Sequence, residues 1–219
     1  LYQKTEGEIV TLGINTLGVL YIVENGNAVR SMADLAGKTI VASGKGSTPE
    51  YALNYLLEQN GVKPMDDVIV DWKSEHSECV SALATGAATI AMLPQPFVTV
   101  AQSKLPDLRV ALDLTEEWDA LDNGSALLTG VVVARREVVE SNPAAVDAFL
   151  SDYAASVEWV NANTADAAAI IGDYGIVEAA VAEKALPYCN IVCITGTEMK
   201  DKLCGYLQVL CDADSASVG

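Results

Sequence analysis

A glycine-rich segment, Ser43-Gly44-Lys45-Gly46-Ser47-Thr48-Pro49, joins a predicted strand to a predicted helix. Thr48 suits the N-cap and Pro49 the first helical position, while the two glycines allow a tight turn. Backbone amides exposed at such a helix start suit an anionic or electron-rich group. The spacing matches neither a Walker A loop nor the G-x-G-x-x-G pattern. The segment is therefore either a ligand-binding loop or an ordinary turn that caps its helix.

A second candidate, Gln95-Pro96-Phe97, follows the third strand of the same α/β unit. Ligands of open α/β sheets gather beyond the carboxyl ends of the strands. Gln95 offers both a hydrogen-bond donor and an acceptor, and Phe97 offers a face for stacking. The alternative is that the prolines shape the start of a helix and that Phe97 belongs to the core.

The loop before the second helix of this unit carries Ser74 and the only histidine, His76. His76 and Cys79 alone are too few ligands for a metal site, so neither a metal nor a cofactor is predicted. The loop either rims a cleft, with Ser74 or His76 contacting a solute, or simply caps its helix. Trp118, which has acidic neighbours, either covers a pocket or packs at the surface, and the surface is favoured. No G-x-S-x-G elbow places a serine for catalysis, so no catalytic residues are predicted.

Strands and helices alternate between about residues 24 and 125. The predicted strands are Thr39–Ser43, Val68–Trp72, Thr89–Leu93 and Leu108–Leu114, and the helices between them are Pro49–Gln59, Glu78–Thr85 and Phe97–Ser103. This alternation predicts right-handed βαβ units around a parallel sheet. The flanking parts of the chain hold one strand and many helices, which is too few strands for a sheet.

Two extended runs, near Leu17–Val23 and Leu127–Val133, connect these parts as antiparallel crossing strands. We therefore expect an α/β protein of two lobes. Residues 19–130, which include the hinge strands, form the second lobe. Residues 1–18 and 131–219 form a first lobe that is discontinuous and incomplete.

The composition excludes several classes of protein. Hydrophobic residues make up 51% of the 219 residues, which is typical of a packed globular protein. Thirteen basic against 30 acidic residues leave a formal charge of −17, which disfavours nucleic acid and acidic membrane surfaces as partners. No apolar run approaches the roughly 20 residues needed to span a bilayer, and no export signal is visible. The five cysteines are expected to be buried free thiols, with one long-range disulfide as the alternative.

Several runs, taken in order, resemble the solute-binding proteins of ABC importers, in particular the nitrate, sulfonate and thiamine-precursor group. They are Asn15–Ile22, Ser31–Gly37 followed by Lys38-Thr39-Ile40, Ala87–Phe97 and Gly130–Pro143. Gln95 stands where that group usually has glutamate. The similarity covers nearly the whole chain.

The resemblance implies a periplasmic-binding-protein-like fold of type II, in which two α/β lobes joined by two antiparallel hinge strands close over a solute. It also implies an extracytoplasmic location, periplasmic or lipid-anchored, a membrane permease as partner, and a monomer when full length. Such proteins carry a further strand–helix–strand stretch before the position of Leu1. We therefore expect a truncated chain with apolar surface exposed along the first lobe.

The predicted function is the binding of a small anionic or heteroaromatic solute, such as a sulfonate, nitrate or a pyrimidine, without catalysis. The alternatives are a LysR-type effector-binding domain and an enzyme that resembles thiamine-pyrimidine synthases. The candidate ligand-binding residues are Ser43, Gly44, Lys45, Gly46, Ser47, Thr48, Ser74, His76, Gln95, Pro96, Phe97, Asn15 and Trp118.

Overall fold

The structure, a computed structural model, describes residues 5–215 and contains two β-sheets that the chain connects twice. The strands are β1 (Ile9–Leu17), β2 (Leu20–Glu24), β3 (Thr39–Ser43), β4 (Ile69–Lys73), β5 (Ile90–Pro94), β6 (Arg109–Asp113), β7 (Leu128–Arg135) and β8 (Ile191–Ile194). The helices are α1 (Thr48–Gln59), α2 (His76–Ala84), α3 (Phe97–Lys104), α4 (Leu114–Asp119), α5 (Arg136–Ser141), α6 (Pro143–Ala162), α7 (Thr164–Asp173), α8 (Ala179–Ala185) and α9 (Gly196–Ala213). Short 3-10 turns occupy Met32–Leu35 and Leu186–Tyr188.

The larger sheet has five strands in the order β4-β3-β5-β2-β6. β3 runs parallel to both β4 and β5, as the alternation of strands and helices predicts. β2, which the sequence predicts as part of an antiparallel crossing strand, lies antiparallel between β5 and β6. All five residues of β2 are buried, since it enters the middle of the sheet directly from the crossing segment.

The smaller sheet has three antiparallel strands in the order β7-β1-β8. The expectation that the flanking parts of the chain hold too few strands to form a sheet is therefore wrong. β8 is only four residues long and contributes the third strand, although it is separated from its neighbour β1 by more than 170 residues. The five-stranded sheet and its helices form the larger lobe, and the three-stranded sheet and its helices form the smaller lobe. Together they make the two α/β lobes of a periplasmic-binding-protein-like fold.

The chain passes between the sheets at Gly18, between β1 and β2, and returns just before β7. Leu17 pairs with Leu128 at this point, so the outgoing and returning segments lie side by side. Gly18 has no room for a side chain, because a Cβ there would lie 2.3 Å from Thr115 Oγ1 and 2.7 Å from Leu127 Cδ2. The crossing is thus packed against α4 of the larger lobe.

The C-terminal helix α9 packs on the larger lobe rather than on the smaller one alone. Tyr206 and Leu210 belong to the same buried cluster as Leu53 and Trp118. The hydroxyl of Tyr51 on α1 donates to Asp214 just after α9, at 3.1 Å. α9 therefore covers α1 of the larger lobe, and the assignment of residues 131–219 to the first lobe stays a prediction.

Large apolar side chains are exposed on the helices and strands of the smaller lobe, as the sequence predicts. Phe149 and Trp159 on α6 are 45% and 42% exposed, and Ile170 on α7 is 47% exposed. In the turn after α7, Tyr174 and Ile176 are 81% and 74% exposed. Of the 20 residues of α6, Val157 alone is buried. Within residues 5–215 no helix has both the length and the apolar character to cross a bilayer.

All five cysteines are free thiols, so the prediction of free thiols is confirmed. The prediction that they are buried holds only for Cys79; Cys204 on α9 is exposed, and the other three are partly covered.

A buried ion pair closes the end of the larger sheet that is remote from the crossing. Glu24 is 3% exposed and accepts from the amides of Ala28 and Val29, and Arg109 donates to the same carboxylate. Burial raises the pKa of Glu24, but these two amides and the guanidinium outweigh that effect and the pKa is lowered overall. The pair therefore holds the turn after β2 against β6.

Replacing Arg109 by alanine should lower the free energy of unfolding by roughly 3 kcal/mol, because it leaves the Glu24 carboxylate buried without its cation. Urea denaturation measures the change. Lys202→Ala is the control: its partner Glu198 lies 3.8 Å away and is 66% exposed, so the expected loss is below about 0.5 kcal/mol. Equal losses in the two variants would contradict this account of the buried pair.

Gly18→Ala should lower the free energy of unfolding by about 1–3 kcal/mol, because the added methyl group overpacks the crossing. Gly13→Ala is the matched control in β1, where a Cβ meets its nearest neighbours at an ordinary 3.4 Å. The same urea titration compares the two variants. A Gly18→Ala protein as stable as Gly13→Ala would show that the crossing is not tightly packed.

Candidate functional site

Three loops meet at the carboxyl edge of the larger sheet, because β4, β3 and β5 are neighbours and run in one direction. Ser43 is the last residue of β3, and His76 is the first residue of α2 after β4. Gln95 and Phe97 follow β5. We call Ser43, His76, Gln95 and Phe97 the strand-end group.

Side-chain contacts join three members of this group. Ser43 Oγ and His76 Nδ1 are hydrogen-bonded at 2.5 Å. The ring centroids of His76 and Phe97 lie 4.9 Å apart, with an interplanar angle of 46°. Burial lowers the pKa of His76 below its usual value, against the opposing effect of Glu75, so the imidazole is neutral at pH 7. A neutral imidazole presents one N–H donor and one acceptor nitrogen.

Gln95 is held by hydrogen bonds from its side chain to Thr99 and from its backbone to Val19. Its Oε1 accepts from Thr99 Oγ1 at 2.9 Å, and its backbone amide donates to the carbonyl of Val19 at 3.1 Å. Because the side-chain oxygen is engaged by Thr99, the side-chain nitrogen is the group that can donate to a ligand. The second contact ties the loop to the segment that crosses between the sheets.

The glycine-rich loop differs in detail from the prediction. The N-cap of α1 is Ser47, not Thr48, which is the first helical residue, and Ser47 Oγ donates to the Gly44 carbonyl at 2.6 Å. The amide of Gly46 donates to Glu50 Oε2 at 2.6 Å. An anion that uses the Gly46 amide must therefore displace the protein's own carboxylate.

Gly44 in this loop has a φ of +90°, and a Cβ there would lie 2.9 Å from Pro49 Cγ. Both observations require glycine at this position. Lys45 is exposed and forms no salt bridge within residues 5–215.

Two other candidates stand apart from the strand-end group. Ser74 lies in the loop after β4 of the larger sheet, and Asn15 lies in the smaller sheet. Ser74 is exposed, and its amide donates to Glu78 Oε2 at 2.9 Å as part of the capping of α2. Asn15 lies in β1, where its Oδ1 accepts from Thr16 Oγ1 at 3.2 Å. A Cβ on Gly130 would lie 2.3 Å from Asn15 Oδ1, so this side chain packs against β7. No side-chain hydrogen bond or ring contact in the described part of the chain joins Asn15 or Ser74 to the strand-end group.

The expectation that Trp118 packs at the surface or covers a pocket is wrong. Trp118 is fully buried, and its ring centroid lies 4.8 Å from that of Tyr55 and 5.5 Å from that of Tyr206. Its indole N–H donates to Ser125 Oγ at 2.9 Å. Glu116 and Asp119 on the short helix α4 are exposed and Glu117 is partly covered, whereas the indole faces the core.

Two residues that shape the site, Glu50 and Thr99, are not among those predicted from the sequence. Glu50 stands three residues after Ser47, which is the spacing of a capping box, so this signal was available. Thr99 stands four residues after Gln95, a spacing that places two side chains on one face of a helix. The bond between Ser43 and His76 joins residues 33 positions apart and has no local signal.

The amino-acid sequence matches those of known binding proteins. The sequence profile of a family described as "ABC transporter, phosphonate, periplasmic substrate-binding protein" matches residues 7–186. A curated binding protein of Brucella abortus is 27% identical over 163 residues, which is 74% of this chain and 49% of that protein. The chain thus spans about half the length of the curated relatives it matches.

Solved structures share the fold at lower identity. An ABC transporter protein from Parabacteroides distasonis is 22% identical, with a TM-score of 0.79 over 100% of this chain and 72% of that one. The aliphatic sulphonate binding protein SsuA of Escherichia coli is 18% identical, with a TM-score of 0.76 over 100% and 68%. The desulfurization enzyme DSZB is 15% identical, with a TM-score of 0.66 over 94% and 73%. The fold therefore occurs in both binding proteins and an enzyme.

The pKa of His76 should be measurable without ambiguity, because it is the only histidine. In the folded protein the midpoint of its imidazole NMR titration should lie below ~6.5, the pKa of an unperturbed histidine. In the urea-unfolded chain the midpoint should lie at that unperturbed value. Since the unfolded state binds the proton more tightly, the free energy of unfolding should fall as the pH drops below about 6.5. A folded-state midpoint at or above 6.5 would contradict the burial of this ring.

Proposed function

The chain belongs to the family of periplasmic substrate-binding proteins of phosphonate-type ABC transporters, and from this premise we propose that it binds a small anionic or heteroaromatic solute for import. The solute, a sulfonate, a phosphonate, nitrate or a pyrimidine, is held between the two lobes at the strand-end group. The partner is a membrane permease, and the location is extracytoplasmic. The full-length protein acts as a monomer.

The observation that carries the proposal is the convergence of hydrogen-bonding groups at one edge of the larger sheet. The bonded pair of Ser43 and His76 offers one donor, either His76 Nε2–H or the Ser43 hydroxyl according to the tautomer. The side-chain nitrogen of Gln95 offers further donors, and Phe97 offers a ring face. The formal charge of −17 gives no long-range attraction to an anion. Recognition therefore depends on short-range donors, which keep their strength in a partly buried site.

Closure is proposed to occur by rotation at the double crossing near Gly18 and Leu127. The pairing of Leu17 with Leu128 keeps the two connections side by side, so the lobes rotate about a single hinge axis. A solute that contacts both lobes shifts the population towards the closed form only as far as it binds that form better.

The absence of catalysis is part of the proposal, and the chemistry of Cys79 supports it. Its thiol is buried beside the strand-end group, on α2, and burial raises its pKa to about 11. A thiol with this pKa is almost wholly protonated at pH 7 and is a poor nucleophile. The enzyme alternative, favoured by the shared fold with DSZB, predicts a chemically changed solute after incubation, which mass spectrometry would detect.

The test of the proposed function is a thermal-shift titration of the full-length protein with methanesulfonate, methylphosphonate, nitrate and a pyrimidine. At least one should raise the melting temperature, and the rise should grow with the logarithm of the solute concentration once that concentration exceeds the Kd. Gln95→Ala should raise the Kd for that solute about tenfold or more, since a hydrogen bond to a charged group contributes roughly 1.5–3 kcal/mol.

Gln208→Ala is the matched control, because Gln208 lies exposed on α9 and its side-chain nitrogen donates to Asp212 Oδ1 at 2.8 Å. It should leave the Kd unchanged. A solute that binds Gln95→Ala and Gln208→Ala equally well would place the binding site elsewhere.

A further inference from the structure

The hydrogen bond between Ser43 and His76 joins a buried hydroxyl to the only histidine of the chain. Ser43 is 3% exposed at the end of β3, and its Oγ lies 2.5 Å from His76 Nδ1. The ring of His76 is partly exposed, and one side of it packs against Phe97. Nε2, the second ring nitrogen, forms no hydrogen bond within residues 5–215. We call Ser43 and His76 the serine–histidine pair.

The serine–histidine pair offers different numbers of donors to a ligand in its two protonation states. The neutral pair holds one N–H and one O–H, and one of these bridges the two residues, which leaves one donor. The protonated pair holds two N–H groups and one O–H. Nδ1–H then donates to Ser43 Oγ, so that Nε2–H and the Ser43 hydroxyl are both free to donate. One proton from the solvent therefore adds one donor and one positive charge.

The charged groups on the side of β4 and α2 do not hold the ring in its protonated form. Glu75, which precedes His76, favours protonation, but burial opposes it more strongly and the pKa of His76 is lowered. Glu78 Oε2 accepts from the amides of Ser74 and Glu75. Lys73, at the end of β4, forms a salt bridge with Asp71 at 2.8 Å.

The other elements around the ring add no bonded anion. In the glycine-rich loop, Lys45 is exposed, and Glu50 accepts from the Gly46 amide. The first turn of α3, which brings Phe97 to the ring, holds no acidic residue. Within residues 5–215, no carboxylate forms a salt bridge or a hydrogen bond with the imidazole. A protonated His76 therefore has no counter-ion from the protein at hydrogen-bond distance.

We propose that the serine–histidine pair takes up a proton with a singly charged anionic solute, so that the site holds this anion more tightly in acid than at neutral pH. The inference rests on the proposed function and deepens it, because it selects the anion among the solutes considered there. At pH 7 the neutral pair contacts the solute through one donor. In acid, the anion supplies the missing counter-ion of the imidazolium, and the freed Ser43 hydroxyl adds a second hydrogen bond.

The probes are methanesulfonate and nitrate, added to the full-length protein at constant ionic strength, because each keeps one negative charge between about pH 5 and pH 7.5. The Kd should be about tenfold lower at the acid end of this range, since one linked proton changes the Kd by at most tenfold per pH unit. Calorimetry in two buffers of different ionisation enthalpy should show proton uptake upon binding near pH 6. The NMR midpoint of His76 should be higher in the complex than in the free protein.

His76→Gln keeps a donor and an acceptor at this position but does not titrate, so its Kd should be equal at the two pH values. Glu117→Gln is the matched control, because burial and the charges of Glu116 and Asp113 raise the pKa of Glu117 towards the same pH range. This control should keep the pH dependence of the unmodified protein. The calorimetry and the NMR titration use the unmodified protein, so they test the inference even where His76→Gln does not fold.

The outcomes separate this inference from the proposed function. Binding of methanesulfonate or nitrate with an equal Kd at the two pH values, without proton uptake, would overturn the inference and leave the proposed function standing. A pH dependence that survives in His76→Gln and is lost in Glu117→Gln would do the same. If neither anion binds at either pH, the inference is overturned, and the proposed function stands only where methylphosphonate or the pyrimidine binds.

Discussion

The parallel register of three short strands is the constraint on which the site depends. β3 pairs with β4 from Thr39 and Ile69 through to Ser43 and Lys73 without a shift, and with β5 at Val41 and Ala91. Strands of equal length in parallel register end together, so the loops that follow them meet at one edge. For this reason Ser43, at the end of β3, contacts His76, at the start of α2, although the two residues lie 33 positions apart in the sequence.

A second constraint comes from the double crossing between the sheets. β2 enters the larger sheet antiparallel, between β5 and β6, and this places Tyr21 against the carboxyl end of β6. The same insertion brings the carbonyl of Val19 to the amide of Gln95. The segment that connects the lobes is therefore bonded to the loop that we assign to the solute.

The sequence predicted those features that depend on local patterns and missed those that depend on distant partners. β3 is predicted to the residue, and the loops after β3, β4 and β5 were selected because glycine, proline and polar residues follow apolar runs. Trp118 was misplaced because its acidic neighbours suggest a surface, whereas Tyr55 and Tyr206, which bury it, come from helices about 60 and 90 residues away. β8 was missed as a sheet strand because four apolar residues have no period of their own.

The proposal requires the neutral imidazole of His76 to contact the solute, and this contact can be observed directly. The measurement is the NMR signal of the His76 imidazole during a titration with methanesulfonate, on the same sample used for the thermal shift. The account predicts a saturable change whose midpoint equals the Kd from the rise in melting temperature. An imidazole signal that stays constant while the melting temperature rises would contradict it.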